Sequence, residues 1–325
     1  MDINENNTLC AFAYGGICMS TNGANKPCCW MWLMNESGNP HWSEDHMETE
    51  WWQSLIDNLE SGVRDPRCTH CWETEDAGNG SMRLNSKYHL DYGNITLHPW
   101  SYVDLKLGSK CNLMCAMCDG SASSLIAKEM WDNSDELWNR KIINKGENLY
   151  FNQKRITKWY ELAGYTDKLQ WWQDPKFYDK LKSNAEHIRT LKFTGGEPTL
   201  IPQVMEVIDY MLETGHSEHI KISVTTNGTY KGRGIYEKMT KFQEAFINLS
   251  VDGTGDTYNY IRYPHTWDRW TKNTKSLLDY KQKINISYQF TTSVFNLFNI
   301  REMEDWIHDE GGYTGTSADK VNYHP

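Results

Sequence analysis

From residue 103 onward, short apolar runs rich in β-forming residues alternate with segments whose apolar residues recur at helical spacing. Five runs are predicted as strands, at 103–107, 188–193, 220–225, 246–251 and 284–294. The helical segments lie at 203–213, 234–244, 267–282 and 300–309. Because parallel strands need a crossover between them, this alternation predicts an α/β fold with a parallel sheet or barrel.

The end of the chain and one long connection depart from this regular alternation of strands and helices. A sixth strand is predicted to begin at Val321, and the sequence stops at Pro325 before a following helix. We expect either a barrel left open there or a truncated longer protein, and we favour truncation. The connection 119–187 is far longer than one helix needs and is predicted to hold two or three helices. These helices would form a lid or substrate platform, or cover one barrel edge.

A polar segment divides the chain. Residues 73–86 contain glycine and no apolar period, which is typical of a linker. With 325 residues, the chain is long enough for about two domains. We expect a small cysteine-rich module with its linker over 1–96 and a larger α/β domain over 97–325.

Charge and hydropathy exclude several classes of protein. The chain has 33 Lys and Arg residues against 43 Asp and Glu residues, and a formal charge of -10 argues against nucleic acid as a partner. No apolar run approaches the roughly 18 to 20 residues of a membrane span. Residues 1–7 are polar and acidic, unlike a secretory signal. The expected location is therefore the cytoplasm.

The cysteines fall into two groups. Nine cysteines cannot all pair, and reducing compartments disfavour disulfides, so metal ligation is the leading explanation for their clustering. Cys111, Cys115 and Cys118 lie in one octet, directly after the first predicted strand. A structural zinc ion normally has four protein ligands, whereas a 4Fe-4S cluster bound by three cysteines leaves one iron open for a substrate or cofactor.

The octet CNLMCAMC resembles the Cys-x3-Cys-x2-Cys signature of radical S-adenosylmethionine (SAM) enzymes. Three further segments follow in the order of that family, at 194–198 (TGGEP), 225–229 (TTNGT) and 250–253 (SVDG). They are similar to the GGEP motif, the TNG turn and the SxDG segment of the family. Each follows a predicted strand, and βα barrels collect their active sites at carboxyl strand ends.

The resemblance implies a partial (β/α)6 barrel that binds a 4Fe-4S cluster through the three cysteines of the octet, together with SAM. Glu197 would pair with the methionyl ammonium of SAM, and Arg262 with its carboxylate. Strand 284–294 lacks the glycine-containing adenine motif of some relatives, which leaves the adenine contacts unassigned. The residues expected to bind SAM are Gly195, Gly196, Glu197, Asn227, Ser250, Asp252 and Arg262.

The earlier cysteines suggest a second site. An Asn-Gly turn at 22–23 predicts a β-hairpin that returns Cys10 toward Cys28, and Cys68 and Cys71 have the spacing of metal ligands. This layout resembles the SPASM and twitch modules that carry an auxiliary 4Fe-4S cluster. A zinc ribbon could be built from the same four cysteines. The remaining pair, Cys18 and Cys29, would be alternative ligands, hydrogen-atom donors or small buried hydrophobes.

The resemblance predicts an enzyme that reductively cleaves SAM to a 5'-deoxyadenosyl radical and modifies a peptide or protein side chain. An external electron donor such as flavodoxin or ferredoxin would supply the electron. The alternative substrate is a small sugar-like or nucleotide-derived metabolite. A non-catalytic zinc protein would explain the cysteines but not the adjacent GGEP segment, and the acidic charge weakens an RNA-modifying role.

Overall fold

The computed structural model describes residues 8–31, 39–90, 97–140, 153–230, 234–311 and 321–324. The strands are β1 (Gly16–Met19), β2 (Asn25–Lys26), β3 (Tyr102–Leu105), β4 (Thr190–Phe193), β5 (Lys221–Thr226), β6 (Glu244–Ser250), β7 (Asn285–Thr291) and β8 (Val321–His324). The α-helices are α1 (Ala11–Gly15), α2 (Glu50–Glu60), α3 (Thr69–Asp76), α4 (Met82–Leu90), α5 (Ser124–Asp132), α6 (Ser134–Asn139), α7 (Gln153–Leu162), α8 (Pro175–Ser183), α9 (Pro202–Glu213), α10 (Ile235–Met239), α11 (Gly255–Ile261), α12 (Trp267–Leu277) and α13 (Ile300–Asp309).

The chain divides into two compact units. The first comprises Met1–Lys106, Trp171–Lys192 and His219–Lys221. The second comprises Leu107–Gln170, Phe193–Glu218 and Ile222–Pro325. Compact units are not the same as independently folding domains, so the domain boundary near residue 97 stays a prediction.

In the first unit, neighbouring strands follow the order β2-β1-β3-β4. The predicted hairpin turn is confirmed: β1 and β2 pair antiparallel, and Gly23 at the turn has a φ of 82°, which favours glycine. The first arm is shorter than expected, because helix α1 separates Cys10 from β1. Strand β1 also pairs with β3, in parallel, and Cys18 lies opposite Asp104. The core of this unit surrounds α1 and α2 and includes the fully buried Phe12 and Trp52.

The structure differs from the predicted linker over 73–86. Helix α3 ends at Asp76 and helix α4 begins at Met82, so most of the segment is helical. Arg83 explains the order of this polar stretch, because it pairs with Glu75 and donates a hydrogen bond of 3.0 Å to the carbonyl of Leu9. Polar side chains within the segment therefore pair with each other, and Arg83 also binds the backbone carbonyl of Leu9.

In the second unit, strands follow the order β5-β6-β7-β8, and β7 pairs in parallel with both β6 and β8. Buried and half-buried residues alternate along β5, as expected for a sheet with two different faces. The α/β fold with mostly parallel strands is thus confirmed, as is a strand that begins at Val321.

Three sequence expectations need correction. Helix α10 ends at Met239 rather than at 244, because β6 already begins at Glu244. Strand β7 ends at Thr291 rather than at 294, since the apolar residues that follow are exposed. Within the described residues of 119–187 there are four α-helices, α5 to α8, where two or three were expected. Across the described ranges, none of the helices has the length and apolar character that a bilayer crossing demands.

Candidate active site

The cysteine octet lies on the loop that leads into helix α5, and the first turn of that helix supports it. Ser123 is the N-cap of α5, and its hydroxyl also donates a 2.6 Å hydrogen bond to the carbonyl of Leu113. The hydroxyl of Ser124 accepts a hydrogen bond of 3.1 Å from the backbone N–H of Cys111. The loop is therefore shaped by the helix that follows it.

The three thiols of the octet differ in their electrostatics. A hydrogen bond from Cys118 lowers the pKa of Cys115, although burial opposes this shift, and Arg262 adds to it. The same hydrogen bond raises the pKa of the donor, Cys118. Burial raises the pKa of Cys111 to about 11.

The turn after β5 contacts the first cysteine of the octet. The side-chain amide of Asn227 donates to the oxygen of Asn112 at 3.0 Å and to the sulfur of Cys111 at 3.8 Å. Asn112 in turn donates to the hydroxyl of Thr229 at 2.8 Å. The predicted TNG turn is thus joined to the cysteine loop through two asparagine side chains, of which Asn112 was not predicted.

The GGEP segment packs against the backbone that immediately precedes Cys111. The N–H of Gly196 donates to the carbonyl of Gly108 at 3.3 Å, and the N–H of Glu197 donates to that of Lys110 at 2.8 Å. Gly195 has a φ of 116°, a conformation that favours glycine. A Cβ on Gly196 would lie only 2.4 Å from the carbonyl oxygen of Lys110. These glycines therefore permit a close contact between two segments of the chain.

The carboxylate of Glu197 is fully buried, at 0% exposure, and lies within a set of protein donors. One oxygen accepts hydrogen bonds from the N–H and hydroxyl of Thr199 and from the hydroxyl of Thr226, at 3.1, 2.7 and 2.8 Å. The other oxygen accepts from the N–H of Asn227 at 2.6 Å. Burial raises the pKa of Glu197, and these hydrogen bonds oppose the rise. Pairing of Glu197 with the ammonium of SAM stays a prediction.

The segment after β6 carries an acidic residue in an unusual conformation. Asp252 is buried and has a φ of 66°, in the left-handed region that few non-glycine residues adopt. Its carboxylate accepts a hydrogen bond of 2.7 Å from the N–H of Thr291 and forms an ion pair with Arg262. Ser250 ends β6 and lies opposite Gln289 in β7. Asp252 is therefore fixed by the end of the neighbouring strand.

Arg262 connects this acidic residue to the cysteine loop. Its Nη1 lies 3.6 Å from the sulfur of Cys115, and its Nη2 pairs with Asp252. Burial disfavours the charge of the guanidinium, but Asp252 and Cys115 together raise the pKa of Arg262. The second unit thus brings the octet together with residues from all three of the predicted strand-end segments.

A family model for the radical SAM superfamily matches residues 105–309. The chain belongs to this superfamily. No curated protein matches the chain. Among solved structures, it is similar to Streptococcus suis SuiB bound to precursor peptide SuiA, with 16% identity, a TM-score of 0.38, and coverage of 91% of this chain and 59% of SuiB. It is also similar to TYW1 with a lysine-pyruvate adduct bound, with 12% identity, a TM-score of 0.31 and coverage of 74% and 72%.

Membership of the radical SAM superfamily implies binding of a 4Fe-4S cluster and SAM, and enzymes of this superfamily use an external reductant and a substrate. The octet fits such a cluster in its chemistry, since it offers three free thiols on one loop. Within the described residues, however, no group of three or more His, Cys, Asp or Glu side chains is already spaced to hold a metal ion.

The four cysteines assigned to a second site lie near one another in the first unit. Cys10 precedes α1, Cys28 follows β2, and Cys68 and Cys71 lie at the start of α3. Cys10 and Cys28 belong to one buried cluster, against which Cys68 packs. Burial raises the pKa of Cys28, and Cys29 reinforces that rise, followed by Cys10, Cys71 and Cys68. Burial likewise raises the pKa of Cys10 to about 11.

Proposed function

We propose that this radical SAM protein binds its 4Fe-4S cluster through Cys111, Cys115 and Cys118 and modifies a peptide or protein side chain. Reductive cleavage of SAM at such a cluster supplies a 5'-deoxyadenosyl radical that abstracts hydrogen from the substrate. The observation that carries the proposal is the pair of contacts at the octet, from Asn227 to the sulfur of Cys111 and from Arg262 to that of Cys115.

The residues of the chain have positioning roles in this proposal. Asn227 and Arg262 donate to the sulfurs of Cys111 and Cys115, respectively. These contacts orient the two sulfurs and limit the contact of the sulfurs with water. Ser250 and Asp252, at the end of β6, are proposed to face the ribose and carboxylate of SAM. Leu113 is buried within the octet and helps to exclude solvent from the sulfurs. An external donor such as flavodoxin or ferredoxin would deliver the electron.

An exposed apolar loop supports a peptide as the substrate. The loop after β7 exposes Val294, Phe295, Leu297 and Phe298, the last of them at 97%. Asn296 is buried between them and donates a 3.1 Å hydrogen bond to the carbonyl of Asp252, which anchors the loop to the candidate active site. Apolar side chains of an extended peptide can pack on such a surface, whereas a sugar-like metabolite would need polar groups there.

Anaerobic reconstitution tests the proposed function. We expect the protein to yield 5'-deoxyadenosine from SAM and dithionite. We also expect it to modify members of a synthetic peptide library, and mass spectrometry should detect the change in peptide mass. Alanine at Cys111, Cys115 and Cys118 together should abolish both, because no thiolate remains at that site. The matched control is Cys18→Ala, which lies on β1 and belongs to neither proposed set of ligands. Zinc in place of iron, or conversion of small metabolites alone, would contradict the proposal.

We also propose an auxiliary 4Fe-4S cluster at Cys10, Cys28, Cys68 and Cys71. The reconstituted protein should then contain about eight irons per chain, and replacement of both Cys68 and Cys71 with Ala should remove about half of them. SAM binding at the octet should persist, since the two cysteine sets lie on separate segments. Iron analysis, together with SAM titration, provides the measurement. Full iron retention, or equimolar zinc at this site, would be the contrary result.

A further inference from the structure

We infer that Arg262 is a positioning residue for the cysteine loop, which places Cys115 as a ligand and sets the reduction potential of the cluster. This inference rests on the proposed function, because it concerns the cluster that the octet would bind. It differs from the role expected by resemblance, in which Arg262 holds the carboxylate of SAM. The inference is carried by contacts that the chain makes without any ligand.

The backbone around Arg262 is matched to the backbone around Cys115. The N–H of Met114 donates to the carbonyl of Tyr263 at 2.7 Å, and the N–H of Ala116 donates to that of Ile261 at 2.9 Å. The neighbours of Cys115 thus bind the neighbours of Arg262, one on each side. These backbone hydrogen bonds bring the side chains of Cys115 and Arg262 together, so that Cys115 is the loop residue that faces the guanidinium.

The side chains of Cys115 and Arg262 are both buried, and Asp252 holds the guanidinium of Arg262 in place. Cys115 is 5% exposed and Arg262 is 7% exposed, so their 3.6 Å contact is shielded from water. The Nη2 of Arg262 pairs with Asp252, whose other carboxylate oxygen accepts the N–H of Thr291 at 2.7 Å. A planar guanidinium anchored on one side presents its remaining donors in a fixed direction.

A fixed cationic donor beside a ligating sulfur has two physical effects. It stabilises negative charge on the sulfur, so it favours ligation, and it raises the reduction potential because the reduced cluster carries more negative charge. Both Nη groups of Arg262 are already engaged by Asp252 and Cys115, while its Nε has no hydrogen-bond partner among the described residues. The contacts with the chain thus occupy one donor on each Nη and orient the guanidinium toward the sulfur of Cys115.

The test compares Arg262→Lys, Arg262→Gln and Arg262→Met in the reconstituted full chain before any SAM is added. We expect the midpoint potential of the octet cluster to become more negative in Arg262→Gln and Arg262→Met, with partial rescue in Arg262→Lys. Iron should be lost to a chelator about 10- to 100-fold more readily in Arg262→Met. Arg269→Gln, an exposed arginine on α12, is the matched control and should behave like the wild type.

The outcomes separate the inference from the proposed function. A wild-type potential and wild-type iron retention in Arg262→Gln, with only SAM affinity reduced, would overturn the inference and assign Arg262 to SAM alone. Absence of a cluster in the wild type and in Arg269→Gln would instead contradict the proposed function. If Arg262→Met does not fold, Arg262→Gln supplies the measurement, because it removes the same positive charge but keeps a polar side chain. A wild-type potential together with wild-type iron retention in Arg262→Gln would then count against the inference.

Discussion

Gly196→Ala is expected to disable the candidate active site and to destabilise the fold, although it adds a single methyl group. Its Cβ would lie 2.4 Å from the carbonyl oxygen of Lys110 and 2.6 Å from the carbonyl carbon of Ser109. Both are backbone atoms, which cannot rotate away as the end of a side chain could. The substitution should lower the free energy of unfolding by ~3 kcal/mol or more, the upper range for overpacking.

The displaced backbone leads directly into Cys111, so the damage should reach the cluster. We expect reconstituted Gly196→Ala to retain less iron at the octet and to bind SAM at least ~10-fold more weakly, which corresponds to ~1.4 kcal/mol. Denaturant unfolding, iron analysis and SAM titration are the measurements. Gly80→Ala is the matched control, because a Cβ there meets nothing within 4 Å. Equal behaviour of the two variants would show that the GGEP turn tolerates a side chain and does not pack as described.

A candidate site can be predicted from the sequence because its chemistry lies in short, local patterns. Cysteine spacing and polar segments after strands are visible without any knowledge of partners, and the family match agrees with them. What Gly196 does could not be predicted in this way. Its neighbour in space is the backbone of Ser109 and Lys110, 86 or more residues earlier in the chain, and only the fold reveals that approach.

Long-range partners also explain the errors in the predicted organisation. Segment 73–86 has the composition of a linker, yet Arg83 is buried between Glu75 and the carbonyl of Leu9, which is 74 residues away in sequence. Arg262 similarly pairs with Asp252 and reaches Cys115, at a separation of 147 residues. The resemblance named Arg262 and Asp252 as site residues, but neither the contact of Arg83 with Leu9 nor that of Arg262 with Cys115 has a local sequence signal.

Replacement of Glu197 should reveal whether its carboxylate serves the fold or the ligand. In Glu197→Ala, the N–H of Asn227 and the hydroxyls of Thr199 and Thr226 lose their acceptor inside the protein. We expect the free energy of unfolding to fall by ~3 to 5 kcal/mol, measured by denaturant titration without SAM. Glu197→Gln should also destabilise, because in either orientation its NH2 group faces a donor rather than an acceptor.

The prediction made by resemblance leads to a different result, which allows the two roles to be separated. If Glu197 chiefly pairs with the ammonium of SAM, Glu197→Ala should weaken SAM binding by more than roughly a hundredfold while stability without SAM stays within ~0.5 kcal/mol of the wild type. That outcome would contradict an internal role. Glu206→Gln, an exposed carboxylate on α9, controls for the change of charge. Because four protein donors already surround the buried carboxylate, we expect the loss of stability to dominate, and the weaker SAM binding to follow from displacement of the turn that holds Asn227 beside Cys111.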